Sequence, residues 1–290
     1  MARDIRRDFF YGKKVLLTGG SSGIGLALAR KLTARGASIW LVARNAGKLE
    51  AAAKELRAAA VDPAQKIGFT PADVAVDAQA RAAAEEAKQA VGEIDILINN
   101  AGTSHPGYFL EMDATITRAT METNFYGTLN MIYAVVPEMV RRGKGHLVNV
   151  SSAAAYLALF GYSSYAPSKW AVRGLTDTLR YELKHLGIRV TLVMPPDTDT
   201  PSLAHEKKIR PAELDIISGS GTVYPPEKVA GDILAGIEHN RYIVITGTDT
   251  NLFYWLTNLL GPWQYRVVDL IVGDAVAKVK KSGGRKDTRV

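Results

Sequence analysis

The sequence predicts an α/β fold, a doubly wound parallel sheet of about seven strands in a single domain with a C-terminal helical extension. Three observations predict it. Short β-rich apolar runs alternate with longer helical patterns from residue 13 to about residue 246. A glycine-rich turn, TGGSSGIG, joins the first such run to the first helical pattern. The chain of 290 residues, 47% hydrophobic and 22% charged, has the length and apolar content to bury one large core.

In chain order, the first strand is expected at 14–18, where KVLLT runs straight into the glycine turn, and the first helix at 24–35. A second strand at 38–43 leads to a helix at 48–60, and a third at 66–70 to a helix at 77–91. The fourth strand, 94–99, precedes one long helical pattern at 114–142, and the fifth, 146–151, precedes another at 164–185. Strands at 189–194 and 242–246 complete the sheet, and no repeat of 20 to 50 residues appears. The domain is expected to span 1–250.

Two segments break the alternation. Residues 195–226 are rich in Pro, Thr, Asp and Ser around a modest helical stretch, as expected of a mobile loop with short helices. Ligands of open parallel sheets bind beyond the C-terminal strand ends, so a long excursion after the sixth strand is placed to close over a substrate. Residues 251–290 form the extension: an aromatic and apolar stretch, NLFYWLTNLLGPWQYRVVDLIV, followed by a basic tail. Its interruption at Gly261-Pro262 argues against a bilayer span. An interfacial helix, the wall of an apolar substrate tunnel, a subunit contact and a plain core helix all fit that composition.

The chain has no cysteine, which excludes disulfides, thiolate metal sites and cysteine nucleophiles and fits a reducing compartment. Its five histidines lack ligand spacing, so no metal site is expected. A formal charge of +7 favours anionic partners such as a phosphorylated cofactor or an acidic membrane surface. Much of the excess lies at the two ends, and the middle lacks the aromatic and basic interleaving of a nucleic-acid groove, so no nucleic-acid partner is expected. The N-terminal stretch has no apolar run of signal-peptide length, since Phe9, Phe10 and Tyr11 give way at once to Gly12, Lys13 and Lys14. A cytoplasmic location, possible also at a membrane periphery, is the expectation.

The glycine turn carries the first chemical signal. Gly19, Gly23 and Gly25 let the backbone turn sharply, and with Ser21, Ser22 and Ile24 they bring a phosphate to the N-terminus of a helix, a natural anion site. At the end of the second strand, where a site for NAD offers a carboxylate to the ribose hydroxyls, the residues are Ala43, Arg44 and Asn45. An arginine without a carboxylate favours the 2′-phosphate of NADPH/NADP+. Asp73 and Val74 follow the third strand and are candidates for the adenine edge; Asn100, Ala101 and Gly102 follow the fourth and admit the cofactor ribose. Asn124 is a polar residue in a largely apolar helical stretch, open to a packing role as well as a functional one.

The second signal lies in SSAAAYLALFGYSSYAPSKWAVRGL, which holds Ser152, Tyr165 and Lys169. Residues four apart share a helix face, so the Tyr165 phenol and the Lys169 ammonium are expected side by side. A fixed cation stabilises phenolate and is expected to lower the Tyr165 pKa toward neutrality. Pro167 is tolerated only in a first helical turn, so the pair should open a helix.

TGGSSGIG, NNAG, the asparagine of TNFYG and the Ser152–Tyr165–Lys169 set occur in one order and context, and over about residues 12–246 the chain resembles the short-chain dehydrogenase/reductase family. The resemblance implies a one-domain Rossmann fold, a homo-oligomer and a nicotinamide cofactor. It implies Tyr165 as acid/base, Lys169 on the nicotinamide ribose, Ser152 on the substrate carbonyl and Asn124 in a proton relay. A narrower resemblance lies in PPDTDTP, with LFGYSSYAPSKWAVRGL and LVARN, which are similar to 3-ketodihydrosphingosine reductases. Most of the wider family has Pro-Gly after the sixth strand, where this chain has Pro195-Pro196. That pattern implies NADPH-dependent reduction of 3-ketosphinganine, a long-chain lipophilic ketone, with Thr200 on the nicotinamide carboxamide and Pro195 and Thr198 beside it. The competing expectations are a reductase or dehydrogenase of another lipophilic ketone or alcohol, a steroid or a 3-ketoacyl chain, and a non-catalytic NADPH-binding module.

Overall fold

The computed structural model describes residues 8–219 and 221–282. The basic N-terminal residues and the tail beyond residue 282, which carry much of the expected surplus charge, lie outside them.

Seven parallel strands build one sheet: β1 (Lys14–Thr18), β2 (Ser38–Ala43), β3 (Ile67–Pro71), β4 (Ile96–Asn99), β5 (Gly145–Val150), β6 (Ile188–Val193) and β7 (Ile243–Val244). Their spatial order, 3-2-1-4-5-6-7, reverses direction between β1 and β4. The crevice beyond the C-terminal ends of these two strands is where such sheets bind ligands. Strand residues alternate between two buried layers: Val15 and Leu17 face one, with Ile96 and Ile98, while Leu16 and Leu97 face the other. Burial on both faces explains why the strands read as continuous apolar runs.

The helices are α1 (Gly23–Ala34), α2 (Ala46–Ala58), α3 (Asp77–Val91), α4 (Ala114–Met121), α5 (Gly127–Arg141) and α6 (Tyr165–Lys184). After β6 come α7 (Pro201–Glu206), α8 (Ala212–Ser218), α9 (Pro226–Glu238), α10 (Thr248–Leu260) and α11 (Gln264–Lys281). Leu28 and Leu32 of α1 and Val229, Ile233 and Ile237 of α9 cover one sheet face. Ala80, Ala83 and Ala87 of α3 with Met131, Val135 and Met139 of α5 cover the other.

Three expectations need correction. The single helix expected at 114–142 is interrupted by a π-helical turn, Glu122–Tyr126, that separates α4 from α5. The strand expected at 94–99 begins only at Ile96, because the Asp95 carbonyl accepts from His146 N and its carboxylate from Lys14 N across the sheet edge. The strand expected at 242–246 is two residues long; Tyr242 and Thr246 flank it, and Tyr242 turns its hydroxyl to Asp177 on α6. The boundary expected at 250 falls in the first turn of α10.

The 195–226 segment is closed at its base. Thr198 and Tyr224 form an isolated parallel bridge, with Asp199 N donating to Tyr224 O at 2.9 Å and Tyr224 N to Asp197 O at 2.9 Å. The short helices α7 and α8 lie within the loop so formed.

Candidate active site

The glycine turn has the geometry of a phosphate cradle. Gly19 and Gly23 adopt left-handed φ values of +69° and +53°. A Cβ on Gly25 would lie 2.2 Å from the Gly19 carbonyl oxygen, so only glycine lets α1 start this close to the turn. Ser22 is the N-cap of α1, yet its side chain makes no capping bond, which leaves first-turn N–H groups directed at the crevice. Asn100 holds the turn from the neighbouring strand: its Nδ2 donates to Thr18 O at 3.2 Å and Gly19 O at 3.3 Å. Thr18 Oγ1 accepts from the backbone of Asn100 and of Ala101, each at 3.0 Å.

From this turn a cavity of about 490 Å³ runs across the strand ends. All of the expected site residues except Gly25 and Asn124 line it, and those two stand directly behind lining residues. At one end are Ala43, Arg44 and Asn45. Arg44 is exposed and makes no ion pair among the described residues, while Asn45 caps α2 by accepting from Lys48 N at 2.9 Å. Lys48, which sequence reasoning passed over, lines the same end and adds a second cation. Asp73 Oδ1 accepts from Ala75 N at 3.0 Å, and the buried Val74 offers its carbonyl to Asn130 Nδ2 at 2.9 Å, so the β3 exit is braced where it lines the cavity.

At the other end stand the catalytic candidates. Tyr165 opens α6, as Pro167 required. The helix is fastened to the sheet by buried polar contacts: Asn149 Nδ2 donates to Thr176 Oγ1 at 2.9 Å, and Ser151 Oγ donates to Lys169 O at 2.8 Å. Lys169 is 5% exposed; its Nζ donates to Val150 O at 3.2 Å and lies 5.7 Å from the Tyr165 ring centre. Ser152 follows β5, caps the short 3₁₀ turn Ala153–Ala155 by accepting from Ala154 N at 3.2 Å, and its side chain lies near enough to Tyr165 to favour the phenolate. Asn124, 1% exposed in the π turn, is held from both sides. Its Oδ1 accepts from Thr103 N at 2.8 Å, and its Nδ2 donates to Thr103 O at 2.9 Å and to Ser168 Oγ at 2.8 Å. A Cβ on Gly102 would fall 3.2 Å from Asn124 Oδ1 and 3.3 Å from Lys169 Nζ, so that glycine is the backbone gap between the two.

The expected acidification of Tyr165 by Lys169 is not what the site shows. Burial pushes the phenol well above an ordinary tyrosine, and nearby Ser152 offsets it only in part. Burial also lowers Lys169, to about 8, so the cation that was to depress the phenol is itself weakened.

The residues after β6 reach back over the cavity. Pro195 O accepts from Ala153 N at 2.9 Å, and Thr198 Oγ1 is turned into its own loop, donating to Pro196 O at 2.9 Å. Thr200 caps α7 by accepting from Leu203 N at 3.3 Å, and its methyl would lie 2.9 Å from a Cβ on Gly23. The substrate segment therefore touches the phosphate turn. Tyr162, Glu206 and Ser104 also line the cavity and were not singled out from the sequence. Glu206 had no visible signal, since its place depends on how α7 folds back; Tyr162, three residues before Tyr165, had one.

A phosphate turn, a strand-end cation and a serine–tyrosine–lysine set in one cavity define a nicotinamide-dependent oxidoreductase. The chain matches the short chain dehydrogenase family over residues 13–210, and it belongs to that family. It is 38% identical over 252 residues to a 3-dehydrosphinganine reductase from Danio rerio, covering 87% of this chain and 76% of that one. A 3-ketodihydrosphingosine reductase from Dictyostelium discoideum is 36% identical over 275 residues, 90% of this chain and 82% of that one. Among solved structures, a short chain dehydrogenase/reductase from Burkholderia phymatum in complex with NAD superposes with a TM-score of 0.77 at 28% identity, covering 88% of this chain and 96% of that one.

Proposed function

We propose that the protein reduces the keto group of 3-ketosphinganine to the alcohol of sphinganine, with NADPH as reductant. The observation that carries the reaction is the Tyr165 phenol beside Ser152, in the same cavity as the phosphate turn. The substrate is supported by the reductases from Danio rerio and Dictyostelium discoideum.

When bound, the nicotinamide supplies hydride to the carbonyl carbon. This chain's residues do the rest. Ser152 and Tyr165 hydrogen-bond the carbonyl oxygen, and Tyr165 gives it a proton as negative charge develops there. A phenol raised by burial suits that direction of reaction: it is protonated at neutral pH, and an alkoxide is basic enough to take its proton. Lys169 holds the nicotinamide ribose and Asn124 fixes the backbone of Thr103 beside it. Gly19, Ser21, Ser22, Gly23, Ile24 and Gly25 bind the pyrophosphate; Asp73 and Val74 border the adenine; Asn100, Ala101 and Gly102 border the ribose. Pro195, Thr198 and Thr200 border the nicotinamide, Thr198 through its backbone because its hydroxyl is committed to Pro196. Arg44, with Lys48, receives the 2′-phosphate. Purified protein with NADPH and 3-ketosphinganine is expected to oxidise the cofactor and form sphinganine. Turnover of steroids or ketoacyl thioesters alone would overturn the substrate, and turnover of no ketone would leave a binding module.

We further propose that α10 and α11 rest on a membrane surface. No helix among the described residues is long and apolar enough to cross one. Yet Leu252, Trp255 and Leu259 of α10 and Leu270 of α11 are 61–83% exposed, a stripe of helical spacing with Trp263 between the helices. Phe253 joins that surface to the cavity, which it lines. Arg266, stacked on Trp263 beside the stripe, suits an anionic lipid surface facing the cytoplasm. Co-sedimentation with anionic vesicles is expected, and Trp255→Ser with Leu259→Ser should abolish it. If the double variant instead splits an oligomer in light scattering and vesicles are not bound, the stripe is the subunit contact of the homo-oligomer that the family resemblance implies.

A further inference from the structure

The catalytic cavity holds carboxylates that carbonyl reduction does not use. Glu206, the last residue of α7, is 9% exposed, and its Oε2 accepts from the Tyr162 hydroxyl at 3.0 Å. The Tyr162 ring is 5.4 Å from that of Tyr165, which places the carboxylate one side chain away from the proton donor. Asp197 lines the same wall. Burial raises both acids above the usual carboxylate range, and Asp197 raises Glu206 further by repulsion.

The neighbouring cations offset this wall only from outside the cavity. Arg210 and Lys207 act on Asp197, and Arg210 on Glu206; Arg210 pairs with Asp215 and keeps a buried, unpartnered Nη1, but neither cation lines the cavity, and Lys169, which does, donates to Val150 O. An independent sign of a missing partner is Ser104. It is 8% exposed and lines the cavity; its hydroxyl is near enough to Glu206 to favour the charged form, yet makes no hydrogen bond of normal geometry. Carboxylates held in a cavity wall with no cation paired to them from the cavity side are costly unless a ligand supplies one.

We propose that Glu206, with Asp197 and Ser104 beside it, receives the ammonium group of an α-amino ketone. This rests on the proposed reaction and names the part of the substrate that the site selects. In such a ketone the nitrogen is attached to the carbon next to the carbonyl. With the carbonyl oxygen at Ser152 and Tyr165, the ammonium projects one atom away from it, toward the Tyr162–Glu206 wall. There it forms charge-assisted hydrogen bonds in a dry site. A steroid or a ketoacyl chain offers the wall no cation and leaves it unpaired, so the same carboxylates select against them.

The test compares 3-ketosphinganine with 1-hydroxyoctadecan-3-one, which has the same chain and carbonyl but no amine, on full-length wild type and Glu206→Gln. Gln keeps an acceptor for Tyr162. The variant is expected to lose about 30-fold or more in kcat/KM for the amino ketone, mainly through KM, and to change less than about threefold for the amine-free ketone. Glu206→Asp should recover part of the loss, and NADPH binding followed by fluorescence should be unchanged. Equal losses on both ketones would overturn the proposal while leaving the reaction assigned above intact, because a carboxylate that merely aligns Tyr162 and Tyr165 serves both alike. Failure of the wild type on the amino ketone, with turnover of the amine-free one, would overturn both readings together. Should Glu206→Gln not fold, Ser104→Ala and Asp197→Asn are read by the same ratio: a selective loss on the amino ketone supports the proposal, and an equal loss overturns it.

Discussion

Replacing Arg44 by alanine isolates the choice between phosphorylated and unphosphorylated cofactor. The guanidinium stands at the β2 exit, lines the cavity, and has no ion-pair partner among the described residues to lose, so its removal disturbs little else. Two unit charges about 4 Å apart interact by about 1 kcal/mol in water and about 4 at an effective dielectric of 20. Arg44 is exposed, so the lower part of that range applies, about 1.5–2 kcal/mol with its hydrogen bonds to phosphate. That corresponds to a 10- to 30-fold loss in kcat/KM for NADPH, shrinking as salt is raised, with less than about a twofold change for NADH. Lys48→Ala should produce a smaller loss of the same kind, and the double variant less than the product, since both cations act on one group. Steady-state kinetics with each cofactor at low and high salt decides it. Equal losses for NADPH and NADH would refute the assignment of Arg44 to a phosphate.

Tyr165→Phe removes the proton donor and is expected to lower kcat by about a thousandfold or more while NADPH binding, read by fluorescence, is retained. Gly23→Ala places a Cβ 2.9 Å from the Thr200 methyl at a φ of +53°, so cofactor affinity should fall at least tenfold; an unchanged affinity in calorimetry would remove the turn from the site. His146 tests the fold rather than the site. Thr191 gives its hydroxyl proton to Arg241 O, so His146 Nε2–H donates to Thr191, leaving a bare, buried Nδ1. Burial lowers its pKa from 6.5 to about 4, so the unfolded chain takes up a proton first as pH falls. Stability that is whole above pH 6.5 should decline between about 6.5 and 4 by up to about 3 kcal/mol. Denaturant titrations across that window should show a shallower decline in His146→Leu than in the wild type.

Local patterns made much of this architecture legible. All seven strands fall within two residues of their expected bounds at each end, because a strand buried on both faces must be apolar throughout and the chain must break it with glycine or polar residues. The turn at TGGSSGIG and the helix start at Tyr165 were legible for a stricter reason: positive φ at Gly19 and Gly23, and Pro167 in a first turn, are local backbone constraints. What could not be read was set by tertiary contact. Lys48 joins Arg44 only through the angle at which α2 leaves β2, and Glu206 meets Tyr162 only because the 195–226 loop folds back on its bridge at Thr198 and Tyr224.

Asn124 shows why the ensemble outperformed each residue taken singly. Helical periodicity runs through 114–142, and nothing local marks the π turn at Glu122–Tyr126. A π turn inserts one residue into the helical phase, so side chains on either side keep facing the sheet while one is redirected. Here that residue is Asn124, whose amide is turned onto Thr103 and Ser168. Ser168 in turn donates to Tyr165 O at 2.7 Å, so the irregular turn braces the first turn of α6 and the Gly102 strand exit at once. The same tertiary logic reverses the pKa reading of Tyr165 and Lys169. Spacing places the two side chains together, but burial rather than their mutual charge sets the direction in which each shifts, the phenol up and the ammonium down.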